Sequence, residues 1–191
     1  KSANPKMRVV RTDDGIVRIP MAGDDLHEAA RHSRISGPSA EAPGGSRAAS
    51  PDPHVWLSPA LVKMQVRNIR DALASLDPAH RTAFESNHDA FIREIDRLDA
   101  ELKALFSARK GEQFMVLHPS WGYFAQAYGL VQVPIEVEGK EPKPAELQRL
   151  IRHARERRIK TIFVQPQFSA KSAELLSREI TTICRSSPPT S

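Results

Sequence analysis

The stretch "FMVLHPSWGYF", Phe114 to Phe124, runs four apolar residues into a histidine, a proline and an aromatic-rich segment. The apolar run "FMVL" (Phe114–Leu117) has the length and composition of a buried strand. "SWGYFAQAY" (Ser120–Tyr128) then reads as a helix, closed by Gly129, a favoured residue just past a helix end. His118 therefore stands at the junction, the first residue beyond a strand. An imidazole there is a packed core group, a satisfied cap, a catalytic base or half of a metal site.

Toward the C-terminus the same alternation repeats. "VQVPIEV" (Val131–Val137) reads as a strand, with Pro134 pointing to an edge or an irregularity. "KPAELQRLIRHARER" (Lys143–Arg157) reads as a helix with Pro144 near its start, "KTIFVQ" (Lys160–Gln165) as a strand, and "SAKSAELLSREI" (Ser169–Ile180) as a helix. Strands alternating with helices imply crossover connections and a parallel sheet covered on its faces. After Ile180, "TTICRSSPPTS" carries neither periodicity nor core residues, so residues 181–191 read as an irregular tail in place of a further strand.

Toward the N-terminus the pattern is helical. In "SPALVKMQVRNIRDALASLDP", Ser58 is a candidate N-cap and Pro59 suits the first helical position. Val62, Val66, Ile69, Leu73 and Leu76 recur at helical spacing. After Asp77-Pro78, the stripe Phe84, His88, Phe91, Ile95, Leu98, Leu102, Leu105 predicts one helix of about 30 residues, roughly 45 Å long. A helix of that length is either a coiled coil or a beam between two lobes. Residues 21–53, poor in large apolar side chains and rich in Ala, Gly, Ser and Pro, read as a flexible loop. "MRVV" (Met7–Val10) is a short strand candidate.

The chain has 191 residues, 40% hydrophobic and 27% charged, within the range of an ordinary globular protein. Its net charge of +5 permits binding to acidic partners without requiring it. The lone cysteine, Cys184, excludes an intrachain disulfide. No apolar run approaches the roughly 20 residues of a membrane span. The chain begins at Lys1 without a methionine and reads as a mature or shortened piece.

Ligands of open parallel sheets bind beyond the carboxyl ends of the strands. His118, Glu136 with Glu138, and Gln165 with Gln167 all fall at such ends. A second candidate is His54 in "DPHVWLSP", on a proline-restricted turn anchored by Trp56 and Leu57; it either coordinates a ligand or caps the following helix. His88 reads as a packed helix residue, and His80 and His153 as exposed ones. His27 and His32 lie with Asp24, Asp25 and Glu28, where they could hold a metal loosely. No HExxH, GxSxG, phosphate-loop or GxGxxG motif is present. The basic run Arg149–Lys160 reads as a solvated helix face rather than a nucleic-acid surface, because no aromatic stacking platform accompanies it.

Taken together, "DPHVWLSP", the long helix, "FMVLHPSWGYFAQAYGL", "EGKEPKPAELQRLI" and "IFVQPQFSAKSAELLSREI" resemble the metal-binding solute-binding proteins of bacterial zinc and manganese ABC importers, closest to the zinc-uptake branch. The likeness covers about Asn4 to Ile180, apart from the loop. It implies an α/β fold of two lobes with parallel sheets and one long interlobe helix, with metal held in the cleft. Residues 1–77 would form a partial N-terminal lobe with its loop, 78–110 the interlobe helix and 111–180 the C-terminal α/β lobe. His54 and His118 match the family's ligand histidines, one from each lobe. Two further family ligands have no match: an earlier histidine, because the chain begins past that point, and a carboxylate after a last strand that this reading lacks. Both lobes are thus expected to be incomplete.

The resemblance implies capture of a divalent transition metal, Zn²⁺ first and Mn²⁺ or Fe²⁺ as alternatives, outside the cytoplasmic membrane, and delivery to an ABC-transporter permease. It implies a periplasmic, monomeric protein that spans no membrane, binds no nucleic acid and catalyses no reaction. Zinc sites use four tetrahedral positions, so two imidazoles alone are expected to bind more weakly than the full family set. The rival from another class is a zinc hydrolase in which His118 and Glu136 or Glu138 serve a metal-bound water; no third ligand motif or general base supports it.

Overall fold

A computed structural model of the chain describes residues 7–21, 50–136, 140–165, 171–180 and 183–185. Most of the expected loop, with His27 and His32, lies outside the described residues, as do Glu138 and Gln167. The chain divides into two compact units, Lys1–Arg18 with Val55–Ala108, and Ile19–His54 with Arg109–Ser191. The described residues Ile19–Met21 and Ser50–His54 group with the C-terminal α/β region.

The first unit is built on two helices packed against each other, α1 (Pro59–Leu76) and α2 (Arg81–Phe106). Pro59 occupies the first turn of α1, and Ser58 is extended but makes no side-chain cap bond. Asn68 on α1 donates its amide to the carbonyls of Thr12 and Asp14 at 2.9 and 3.0 Å, tying down the turn Thr12–Gly15. The Arg18 guanidinium bonded to Asp13, helped by Arg11, holds that carboxyl below its ordinary range. The expected strand Met7–Val10 is not formed. No neighbouring strand pairs with it among the described residues, and Met7, Val9 and Val10 are exposed.

The second unit is an α/β layer structure. Four parallel strands, β1 (Gln113–Val116), β2 (Val131–Pro134), β3 (Ile162–Val164) and β4 (Ile183–Arg185), lie in the order β2-β1-β3-β4. Helices α3 (Gly122–Tyr128), α4 (Pro144–Glu156) and α5 (Lys171–Glu179) connect them. Period-two alternation sorts the strand residues onto two faces. Met115, Leu117, Val133, Ile135, Ile162 and Val164 join Leu150 and Ala154 of α4 and Ala173 and Leu176 of α5 in the main core. Phe114 and Val116 face the other way, with Ala125 of α3 and Trp121. Each fully buried aliphatic side chain contributes about 1.5–3 kcal/mol.

Local chemistry sets the element ends. Gly129 adopts a left-handed φ of 70° and lets Leu130 donate to the Ala125 carbonyl at 2.8 Å, closing α3. The Glu146 carboxylate accepts the Lys143 N–H at 2.7 Å, opening α4. Pro134 stands on the edge strand β2, where a missing N–H is tolerated. The expected tail after Ile180 is corrected: Ile183–Arg185 pair with Ile162–Val164 as a fourth strand. Three residues are too few to display alternation, so only pairing to β3 reveals the strand. Among the described residues no helix is long and apolar enough to cross a membrane.

Candidate metal centre

The sheet order sets where a ligand fits. β1 connects outward to β2, and the chain then returns past β1 to β3, so the strand order reverses between β1 and β3. Crevices at the carboxyl ends beside such a reversal bind ligands in open α/β folds. β1 runs directly into His118 and β2 into Glu136. Leu117 donates to the Phe163 carbonyl at 3.2 Å and Glu136 to the Leu117 carbonyl at 3.1 Å, so hydrogen bonding continues past the strand ends and fixes the base of the site. Ser120 N–H donates to the His118 carbonyl at 2.8 Å. This tight bend through Pro119 explains why α3 starts at Gly122 rather than at Ser120.

His54 reaches the same edge from a different part of the sequence. Ile19–Met21 and Ser50–Asp52 form a short antiparallel clasp, bridged at Pro20 and Pro51. Met21 N–H donates to the Ser50 carbonyl and Asp52 N–H to the Ile19 carbonyl, both at 2.8 Å. The Tyr123 hydroxyl of α3 fastens the clasp, accepting the Ile19 N–H at 3.1 Å and donating to the Asp52 carbonyl at 2.9 Å. Asp52 is wholly buried. Its Oδ1 accepts the His54 N–H at 2.9 Å, a local turn bond that Asp readily makes two residues ahead.

The two sequence-nominated histidines come together. The ring centroids of His54 and His118 are 5.4 Å apart, edge to face at 77°. Each ring meets a carboxylate: His54 Nδ1 lies 2.6 Å from Asp52 Oδ1, and His118 Nδ1 lies 3.1 Å from Glu136 Oε2. A carboxylate only accepts, so each Nδ1 donates, and in the neutral imidazole Nε2 is then the atom with the lone pair. In metal sites, a carboxylate on the far ring nitrogen fixes the imidazole's orientation and raises its basicity as a ligand. The His54 side chain is 13% exposed and that of His118 30%, so both rings are partly shielded and still reachable.

Three neighbours complete the surroundings. Gln165, just past β3, donates to Ser120 Oγ at 3.0 Å. Gln132 on β2 accepts the Trp121 N–H at 2.6 Å. Gly122 sits where a Cβ would lie 3.0 Å from Asp52 Oδ2 and 3.3 Å from Ile19 Cδ1. Among the described residues, no group of three or more His, Cys, Asp or Glu side chains is placed to hold a metal ion. Of the remaining histidines, His88 bonds to Asp89 and His80 is exposed beside Asp77. His153, expected to be exposed, is half-buried and donates from Nε2 to Gln113 Oε1 at 2.8 Å. Burial, helped by Arg157, pushes its pKa down.

Asp52 and Gln132 were missed on sequence. "DPH" marked a turn, which was the available signal for Asp52. Gln132 offered none, because a strand glutamine beneath a helix start is defined only by the tertiary fold.

Residues 1–189 match the protein family described as "ZnuA: Zinc-uptake complex component A periplasmic". The chain is 35% identical over 131 residues to the high-affinity zinc uptake system protein ZnuA of Bacillus subtilis (strain 168), an alignment covering 68% of this chain and 41% of that protein. It spans about two fifths of that relative. A crystal structure of ZnuA superposes with a TM-score of 0.78 at 40% identity, covering 95% of this chain and 63% of the other. A ZnuA deletion mutant with zinc bound superposes at 0.76 with 39% identity, covering 94% and 60%.

Proposed function

The chain belongs to the family of periplasmic zinc-uptake component A proteins, and from that premise we propose that the protein captures Zn²⁺ outside the cytoplasmic membrane and delivers it to an ABC-transporter permease. His54 and His118 bind the ion through Nε2. Asp52 and Glu136 hold the opposite ring nitrogens. The observation that carries this reading is the paired geometry: two imidazoles 5.4 Å apart, each with Nδ1 against its own carboxylate. Both rings come from one chain, so a monomer suffices for the pair.

Nitrogen donors favour Zn²⁺ over Mn²⁺ by ligand type and by the Irving–Williams order. Two protein ligands leave tetrahedral positions to be completed by water or by further protein groups. The metal is cargo, and the site needs reversible capture rather than a reacting water. A zinc-hydrolase role is disfavoured because no third ligand motif or general base supports it, and Glu136 is engaged with His118.

Calorimetric titration of zinc into the chain, beside His54→Ala and His118→Ala, tests the assignment. Each substitution is expected to weaken binding at least about tenfold, through loss of a direct ligand. Unchanged affinity in both variants would sink it.

A further inference from the structure

Three buried polar atoms in this region have no hydrogen-bond partner among the described residues, Asp52 Oδ2, Gln132 Nε2 and Gln165 Oε1, and the first two are chemically complementary. Asp52 Oδ2 is an acceptor and Gln132 Nε2 is a donor; neither has a partner among the described residues. Gln132 is 9% exposed and Asp52 is wholly buried. The orientation of the Gln132 amide is determined: its Oε1 accepts the Trp121 N–H at 2.6 Å, so its NH₂ must point elsewhere. The position a Gly122 Cβ would take lies 3.0 Å from Asp52 Oδ2 and 4.0 Å from Gln132 Nε2. Both orphaned atoms therefore border the same small space, which only a glycine leaves open. A buried carboxylate oxygen without a donor costs more than a neutral group left unpaired. Each atom supplies what the other lacks.

We propose that Gln132 is a positioning residue for the metal centre: its amide donates, directly or through one water, to Asp52 Oδ2 and so holds the carboxylate that orients His54. The inference rests on the proposed zinc reading and extends it inward. β2 already delivers Glu136, the partner of His118. With Gln132 on the same strand, β2 sets the second shell of both histidines, although His54 is far away in the chain. Gly122 is the spacer: its missing side chain gives the Gln132 amide access to Asp52. A water in that space would have the donor and acceptor that a buried water requires.

The test uses the full chain and two substitutions. Gln132→Glu keeps an oxygen for the Trp121 N–H and replaces the donor with an acceptor facing Asp52. Zinc affinity should fall about tenfold or more, within the usual second-shell range. The His54 ring ¹⁵N signals, recorded without metal, should shift away from the Nδ1-protonated pattern. The double variant Asp52→Asn/Gln132→Glu reverses donor and acceptor: the new amide at position 52 donates to the new carboxylate at position 132 while its oxygen still serves His54. It should recover a large part of the affinity and the ring signature. A folded Gln132→Glu protein with parental affinity and parental ring signals overturns the proposal. So does a double variant whose losses merely add. If the parent chain takes up no zinc, the zinc reading fails, whereas the metal-free ring signals still decide the link between Gln132 and His54.

Discussion

The Tyr123 hydroxyl donates to the Asp52 carbonyl at 2.9 Å, joining residues 71 positions apart in sequence. The same oxygen accepts the Ile19 N–H. One phenol thus anchors both strands of the clasp that presents His54. Tyr123→Phe keeps the ring and leaves a buried carbonyl and a partly buried N–H without that partner. Stability should drop by about 1–3 kcal/mol in urea unfolding. Zinc affinity should fall as well, because His54 loses its anchored mount. A Tyr123→Phe protein with parental unfolding midpoint and affinity would contradict this role.

Glu136 is assigned to His118 rather than to the ion. Glu136→Gln retains shape and removes the charge that strengthens the Nδ1–H bond. Affinity should fall by about 10–100-fold, as for other second-shell changes, with the fold retained by circular dichroism. Complete loss of binding would instead identify Glu136 as a direct ligand.

Gly122 gives opposing effects that can be separated. Alanine is a better helix former by up to about 1 kcal/mol. Here its Cβ would press on Asp52 Oδ2 at 3.0 Å and Ile19 Cδ1 at 3.3 Å. Gly122→Ala should therefore weaken zinc binding even if the melting temperature barely changes. Parental affinity in calorimetry would show that the clasp moves aside without cost.

His153 makes stability depend on pH through a site remote from the histidine pair in sequence. Burial lowers its folded-state pKa below the ordinary 6.5. Below that ordinary value the unfolded chain takes up a proton that the folded chain resists. The stabilising contribution is thus present above about pH 6.5 and is lost as pH falls toward the lowered folded value. The groups acting on the ring are Arg157, which reinforces the shift, and Glu156, which opposes it. Urea unfolding of the parent and His153→Gln, both with chelator, should show the parent losing more stability between pH 7.5 and 5. Parallel profiles would exclude the effect.

What could be read in the sequence followed the range of the signal. The strand–helix alternation from Phe114 onward was legible because burial on both sheet faces produces long apolar runs and clear helix ends. His118 stood out because it follows such a run, and His54 because prolines bracket its turn. β4 was hidden: Ile183–Arg185 is defined by pairing to β3, not by its own pattern. Met7–Val10 erred the other way, with strand composition but no strand to pair with among the described residues. Asp52 meets His54 through a local turn, for which "DPH" was the signal, whereas Glu136 stood out only as a strand-end acid and its pairing with His118 was set by tertiary contact.

The clasp between Ile19–Met21 and Ser50–Asp52 has a consequence for how this chain can vary. Both ends of the intervening segment leave from fixed points, locked to each other and to α3. Closure of the chain between them is set at Met21 and Ser50, whose backbone bond holds the two ends together. For a loop closed at fixed ends the entropic cost of added length grows only logarithmically, so a change of length there should reach His54 only by loosening the clasp.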